Sequence, residues 1–207
     1  MNKNEELNKL FEEWKIKHSE ESYNADTIEV LHVDKESWCE DGFVFEEKSN
    51  TVLYILNETN LDNGNKANGQ FWFKENLGQL KHPIINRVQD MQAILCAELE
   101  NLTMQDISYM NINKRGGFDS CNYNTLKNYY DKYKEFIIKE INIIDPKIIV
   151  FATGNNGIDI YNDLMADKDK INCKNIIFMS HPSKRISNAE YLEEFEKQIK
   201  ESLKRGI

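Results

Sequence analysis

Four short runs rich in apolar, β-branched and aromatic residues punctuate the chain: TVLYIL at 51–56, DISYMNI at 106–112, KIIVFA at 147–152 and NIIFM at 175–179. Each is short and bounded by polar or turn-forming residues, which reads as a strand. Elsewhere apolar residues recur every three or four positions, the spacing of one helix face. Leu7, Leu10, Phe11 and Trp14 predict a helix over about 3–20, and IINRVQDMQAILCAELEN predicts another over about 84–101. Leu126, Tyr130, Tyr133, Ile137, Ile141 and Ile144 mark a long helix that Asp145 and Pro146 stop. A short helix follows the TGNNG turn over about 156–166, and a charged one closes the chain over about 188–205 with Tyr191, Leu192 and Phe195 inward. Residues 28–47 read as mixed, with extended pieces around TIEVLHV and GFVFEE.

Strands that alternate with helices across intervals long enough for crossovers predict an α/β protein. The expected form is a three-layer α/β/α domain with a central, mainly parallel four-stranded sheet over 49–207. Residues 1–48 then form an acidic helix and extension packed on that core. In open sheets of this kind ligands sit at the carboxyl ends of the strands. The chain puts Asn57, Glu58, Thr59 and Asn60 after the first strand and Asn111 through Arg115 around the end of the second. Thr153, Gly154, Asn155 and Asn156 follow the third, and His181, Pro182 and Ser183 the fourth. One carboxylate, several amides, a histidine and a few cations would share one edge.

Each of these groups has a plain structural role available: Glu58 as a solvated loop residue, Asn111 as a local backbone cap, Lys114 and Arg115 as a surface turn, and the QFWF cluster at 70–73 as core. Asp62 competes with Glu58 for any carboxylate role. His82 reads as a helix start before Pro83.

Charge qualifies the picture. The net charge of −9 opposes binding to a polyanion. Yet residues 1–48 hold 14 acidic and 6 basic side chains, so the remainder is nearly neutral. Cys39, Cys96, Cys121 and Cys173 show no CxxC spacing, which argues against a metal site built from close pairs. No stretch approaches the ~20 apolar residues of a membrane span. The N-terminus lacks the apolar region of a secretory signal, and a cytoplasmic protein is expected.

Taken together and in order, these stretches resemble the uracil-DNA glycosylase superfamily over about 51–186. VLYILNETN resembles its first motif, a strand whose turn carries the residue assisting hydrolysis, here Glu58, with Asn57 and Asn60 standing where that motif has Gly and Pro. YMNINKRGG is similar to the strand that presents an Asn to the pyrimidine edge, and counting back from Lys114 gives Asn111. HPSKR resembles the His-Pro-Ser motif. The resemblance implies that Glu58 and His181 are catalytic, and that Asn111 and one aromatic of Phe71, Trp72 and Phe73 bind the base. It further implies that Lys114, Arg115, Ser183, Lys184 and Arg185 meet DNA, with Ile186 as the apolar wedge behind a flipped nucleotide. The implied activity is hydrolysis of the N-glycosidic bond of uracil or a related damaged base in DNA, with no metal or cofactor. Two alternatives stay open. One is a non-catalytic nucleic-acid or nucleotide-binding module of the same fold, its acidic N-terminal region serving a protein partner. The other is an unrelated doubly wound enzyme acting on a small nucleotide.

Overall fold

The computed structural model describes residues 2–22, 35–48, 51–60, 67–78, 82–117 and 121–203. In chain order the elements are α1 (Lys3–Ser19), β1 (Trp38–Cys39), β2 (Gly42–Phe43), β3 (Val52–Asn60), β4 (Asn68–Gln70), α2 (Trp72–Glu75), α3 (Pro83–Glu98) and β5 (Ile107–Gly117). Then come α4 (Tyr123–Ile144), β6 (Ile148–Phe151), α5 (Ile158–Ala166), β7 (Ile176–Phe178) and α6 (Asn188–Leu203).

All four expected strands form, and they pair in parallel in the order β5-β3-β6-β7. The sheet has five strands, not four: β2 adds antiparallel to the free edge of β5, with Gly42 opposite Tyr109. A separate parallel pair joins β1 to β4. The expected piece at GFVFEE is therefore β2, whereas TIEVLHV lies outside the described residues. Within the five-stranded sheet every parallel neighbour is reached through at least one helix.

Successive side chains of a strand point to opposite faces, and here both faces are covered. Leu53, Ile55, Met110, Ile112, Ile149 and Phe151 face one core, shared with α1, α4 and α5. Tyr54, Leu56, Tyr109, Val150 and Ala152 face the other, shared with α2, α3 and α6. Burial on both sides explains why these strands read as continuous apolar runs.

The N-terminal helix belongs to the first core. Asn2 and Glu5 form a reciprocal cap at its start. Trp14, fully buried, lies 5.2 Å from the Phe136 ring and 6.3 Å from that of Tyr129. His18 is buried in the same place, its Nε2 2.9 Å from the Tyr129 hydroxyl. No described helix is long and apolar enough to cross a membrane.

One strand departs instructively from expectation. NKRGG was expected to turn the chain after residue 112, yet β5 runs on to Gly117, with Asn113 opposite Glu58 and Gly117 opposite Asn60. The residues that carry it onward are polar and buried, and their partners come from the N-terminal segment and α4. Lys114 Nζ lies 2.5 Å from Asp41 and 2.7 Å from Glu140, all three side chains fully buried. Arg115 pairs with Glu21 at 2.6 Å, its guanidinium over the Tyr129 and Tyr133 rings. Part of the N-terminal acidity is thus internal, neutralising two cations of the sheet.

Candidate functional site

The four parallel strands occur in the spatial order second-first-third-fourth, so the winding direction reverses between β3 and β6. Ligands of open α/β sheets sit outside the carboxyl ends at such a reversal. A cleft of about 730 Å³ opens there, within the usual size range of small-molecule sites. Residues 56–60, the last stretch of β3, which runs on past its apolar part to Asn60, line it with 153–156 after β6 and Ser180, His181, Ser183 and Lys184 after β7. Trp72, His82, Ile84, Tyr109 and Cys121 complete it.

Glu58 stands half-buried in this wall. Its carboxylate accepts a hydrogen bond from Asn113 Nδ2 at 2.9 Å and another from the Cys121 thiol. Burial pushes the carboxyl up to about 7, against the opposing pull of those two donors. Gly117 makes the placement possible, since a Cβ there would fall 2.1 Å from the carboxyl of Glu58. A carboxylate with this environment is divided between its charged and neutral forms at physiological pH, as acid–base groups often are.

His181 faces the same cleft from the end of β7. Its Nδ1 accepts from the Ser183 backbone N–H at 3.2 Å and lies 2.7 Å from the Ser183 hydroxyl. An accepting Nδ1 leaves the hydrogen on Nε2, making that nitrogen a donor. Burial lowers the ring to about 4, so it is neutral at pH 7. Behind it Gly154, at φ +64, would place a Cβ 3.1 Å from the His181 backbone nitrogen. Gly154→Ala is accordingly expected to cost about 1–2 kcal/mol from the left-handed backbone alone. The check is a lower urea midpoint at unchanged slope.

Of the three aromatics that the sequence left open, only Trp72 lines the cleft. It packs edge-on to His82 with ring centroids 4.7 Å apart. Phe73 is fully buried and stacks on Tyr109 at 4.7 Å, and Phe71 packs partly buried against the same core. His82 begins α3, as expected, and also lines the cleft.

Several expected roles need correction. Asn111 does not line the cleft and has no free edge. Its Nδ2 donates to Thr59 Oγ1 at 2.8 Å, its Oδ1 accepts from the Tyr109 hydroxyl at 3.1 Å, and its backbone N–H donates to Asp41 at 2.9 Å. Lys114 and Arg115 are buried in ion pairs and cannot face phosphates. Ile186 is half-buried against the second core instead of projecting as a wedge. Ser183 is exposed with its hydroxyl on His181. Lys184 lines the cleft, but its amine bonds Ser180 Oγ at 2.9 Å and Glu194 at 3.0 Å. Arg185 is exposed. Asp62 lies outside the described residues.

The structure also brings forward residues without an expected role. Asn57 Nδ2 donates to the Thr153 carbonyl at 3.2 Å, tying the ends of β3 and β6 across the floor of the crevice. Asn113, one pair of residues beyond Asn111, holds Glu58. Asn57, Asn113 and Thr153 all stand in the strand-end stretches legible in the sequence, but nothing there singles out what each side chain holds. Cys121 carried no signal in the sequence.

No protein-family model matches the chain, and no curated protein matches it.

Proposed function

We propose that this cleft hydrolyses the N-glycosidic bond of uracil or a related damaged base in DNA, the activity of the uracil-DNA glycosylase superfamily that the sequence resembles. The observation that carries the reading is the meeting of Glu58 and His181 on one wall-and-edge of a single cleft, with Trp72 beside them. Helices on both sheet faces support the three-layer α/β/α arrangement that goes with it.

In this reading Trp72 stacks on an extruded base, a contact worth about 1–3 kcal/mol. Breaking the glycosidic bond leaves cationic character on the sugar and negative charge on the base. Ionised Glu58 stabilises the sugar cation or orients the attacking water. Neutral His181 donates Nε2–H to the base oxygen on which charge develops. A neutral donor suits this task, because the hydrogen bond strengthens as the anion forms and leaves no buried cation before it.

A second reading is a nucleobase-binding module of the same fold without turnover. What favours it is the commitment of Asn111, Lys114 and Arg115 to the interior, which removes an expected base reader and two expected phosphate contacts.

An abasic-site assay separates the two. The protein is incubated with oligonucleotides bearing one uracil, single-stranded or opposite G or A, and then treated with alkali. Strand scission at the uracil is expected. Binding without scission on every substrate would overturn the enzymatic reading in favour of the binding module.

A further inference from the structure

The loop that carries His181 is held by a buried arginine from a different element. Arg87 of α3 is 7% exposed, and its guanidinium donates to three backbone carbonyls of that loop. Nη1 reaches Pro182 O and Lys184 O, each at 2.8 Å, and Nη2 reaches Ile186 O at 2.6 Å. The guanidinium stacks on the Tyr191 ring at 4.5 Å, and the Tyr191 hydroxyl donates to Ser180 O at 2.7 Å. Carbonyls 180, 182, 184 and 186 therefore all turn toward one Arg–Tyr pair.

Two features mark this as more than packing. A buried cation costs free energy unless its charge is met, and among the described residues no carboxylate pairs with Arg87; carbonyl dipoles meet it instead. Three diverging carbonyls also demand the planar fork of donors that arginine alone provides. An apolar side chain would fill the space but leave three inward carbonyls unsatisfied. The Pro182 carbonyl and the Ser183 N–H belong to one trans peptide, so holding that carbonyl inward turns the N–H the other way, onto His181 Nδ1.

We propose that Arg87 is the positioning residue of the cleft: by fixing these carbonyls it sets the peptide that selects the Nε2–H tautomer of His181 and aims the ring. Its importance for catalysis rests on the glycosidase reading above, whereas the positioning itself does not.

The test uses Arg87→Met, which removes the donors, and Arg87→Lys, which keeps the charge without the fork. The readout is nitrogen–proton NMR correlation of the His181 ring across pH, with circular dichroism as a check on the fold. In the wild-type protein the ring is expected to hold a single Nε2–H tautomer and to titrate near about 4. In Arg87→Met the tautomers average and the titration rises by about one unit or more toward the free-imidazole value, as a released ring regains water. Arg87→Lys restores this only partly. Should Arg87→Met fail to fold, Arg87→Lys carries the test alone. An unchanged tautomer and titration in a folded variant would overturn the proposal. Where the wild-type protein cleaves uracil substrates, kcat should fall about tenfold or more with KM little changed, because the ring is misplaced while the base pocket remains. If the wild-type protein cleaves none, the glycosidase reading fails and the ring titration still decides the role of Arg87.

Discussion

Glu58→Gln is expected to abolish most N-glycosidic cleavage while making the protein more stable at pH 8. The rate loss follows from removing the only ionisable carboxylate that lines the cleft among the described residues. Positioned acid–base groups contribute about 10²- to 10⁴-fold, and a loss in that range in single-turnover assays is the expected result. The gain in stability follows from burial. The folded-state value of about 7 lies above the ordinary 4.5. Such a group favours the folded state below pH 4.5 and loses that contribution as pH rises through 7, when a buried carboxylate must be ionised. A glutamine still accepts from Asn113 Nδ2 and carries no charge. Allowing for partial solvent access, the variant should gain about 1–3 kcal/mol at pH 8 and little at pH 4.5. Urea denaturation at the two pH values measures the difference. A variant that lost activity without that pH-dependent gain would show Glu58 to be less desolvated than its surroundings imply.

The second large effect lies away from the cleft. Lys114 is fully buried between Asp41 and Glu140. Burial, and then the charge of Asp41, holds the Glu140 carboxyl well above the ordinary carboxylate range. One buried ammonium therefore faces two buried carboxyls. Lys114→Met leaves the carboxyls without their cation, and breaking a buried pair from one side costs about 3–5 kcal/mol. For a chain of this size that lowers the melting temperature by about 2–4 °C per kcal/mol. The sign with pH is fixed. A carboxyl whose folded value is raised stabilises at low pH and loses that stabilisation as pH rises, so the deficit of Lys114→Met should widen between pH 5 and pH 8. Asp41→Asn added to Lys114→Met should recover part of the loss, since the double variant removes charge on both sides. A surface lysine of the kind expected from NKRGG would show neither the loss nor the recovery.

That contrast shows where the sequence was transparent and where it was not. The apolar parts of β3 and β6 are buried on both faces and β7 is buried on one and half-buried on the other, and a buried run announces itself locally. The edge of the cleft was equally readable, because Glu58, Thr153 and His181 directly follow or end such runs and the carboxyl end of a parallel strand is where chemistry collects. β5 was not readable beyond residue 112. Asn113, Lys114 and Arg115 look like a turn until Asp41, 73 residues earlier, and Glu21, 94 residues before Arg115, close over them. The continuation of β5 also reshapes the site. A strand ending at 112 would set Asn111 at its end, but β5 continues to Gly117, which puts Asn111 mid-strand and braced between Tyr109 and Thr59. Arg87 was hidden for the same physical reason: nothing local distinguishes a helix cation bound for solvent from one bound for three distant carbonyls.

The pH dependence of single-turnover cleavage of a uracil-containing oligonucleotide tests the central claim most directly. With His181 neutral from pH 5 upward and Glu58 titrating near 7, the rate should rise about tenfold per unit below that midpoint and level off above about pH 8. The ascending limb should vanish in Glu58→Gln. A rate independent of pH from 5 to 9, a rate that falls over that range, or no cleavage at any pH would contradict an N-glycosidase built on Glu58 and His181.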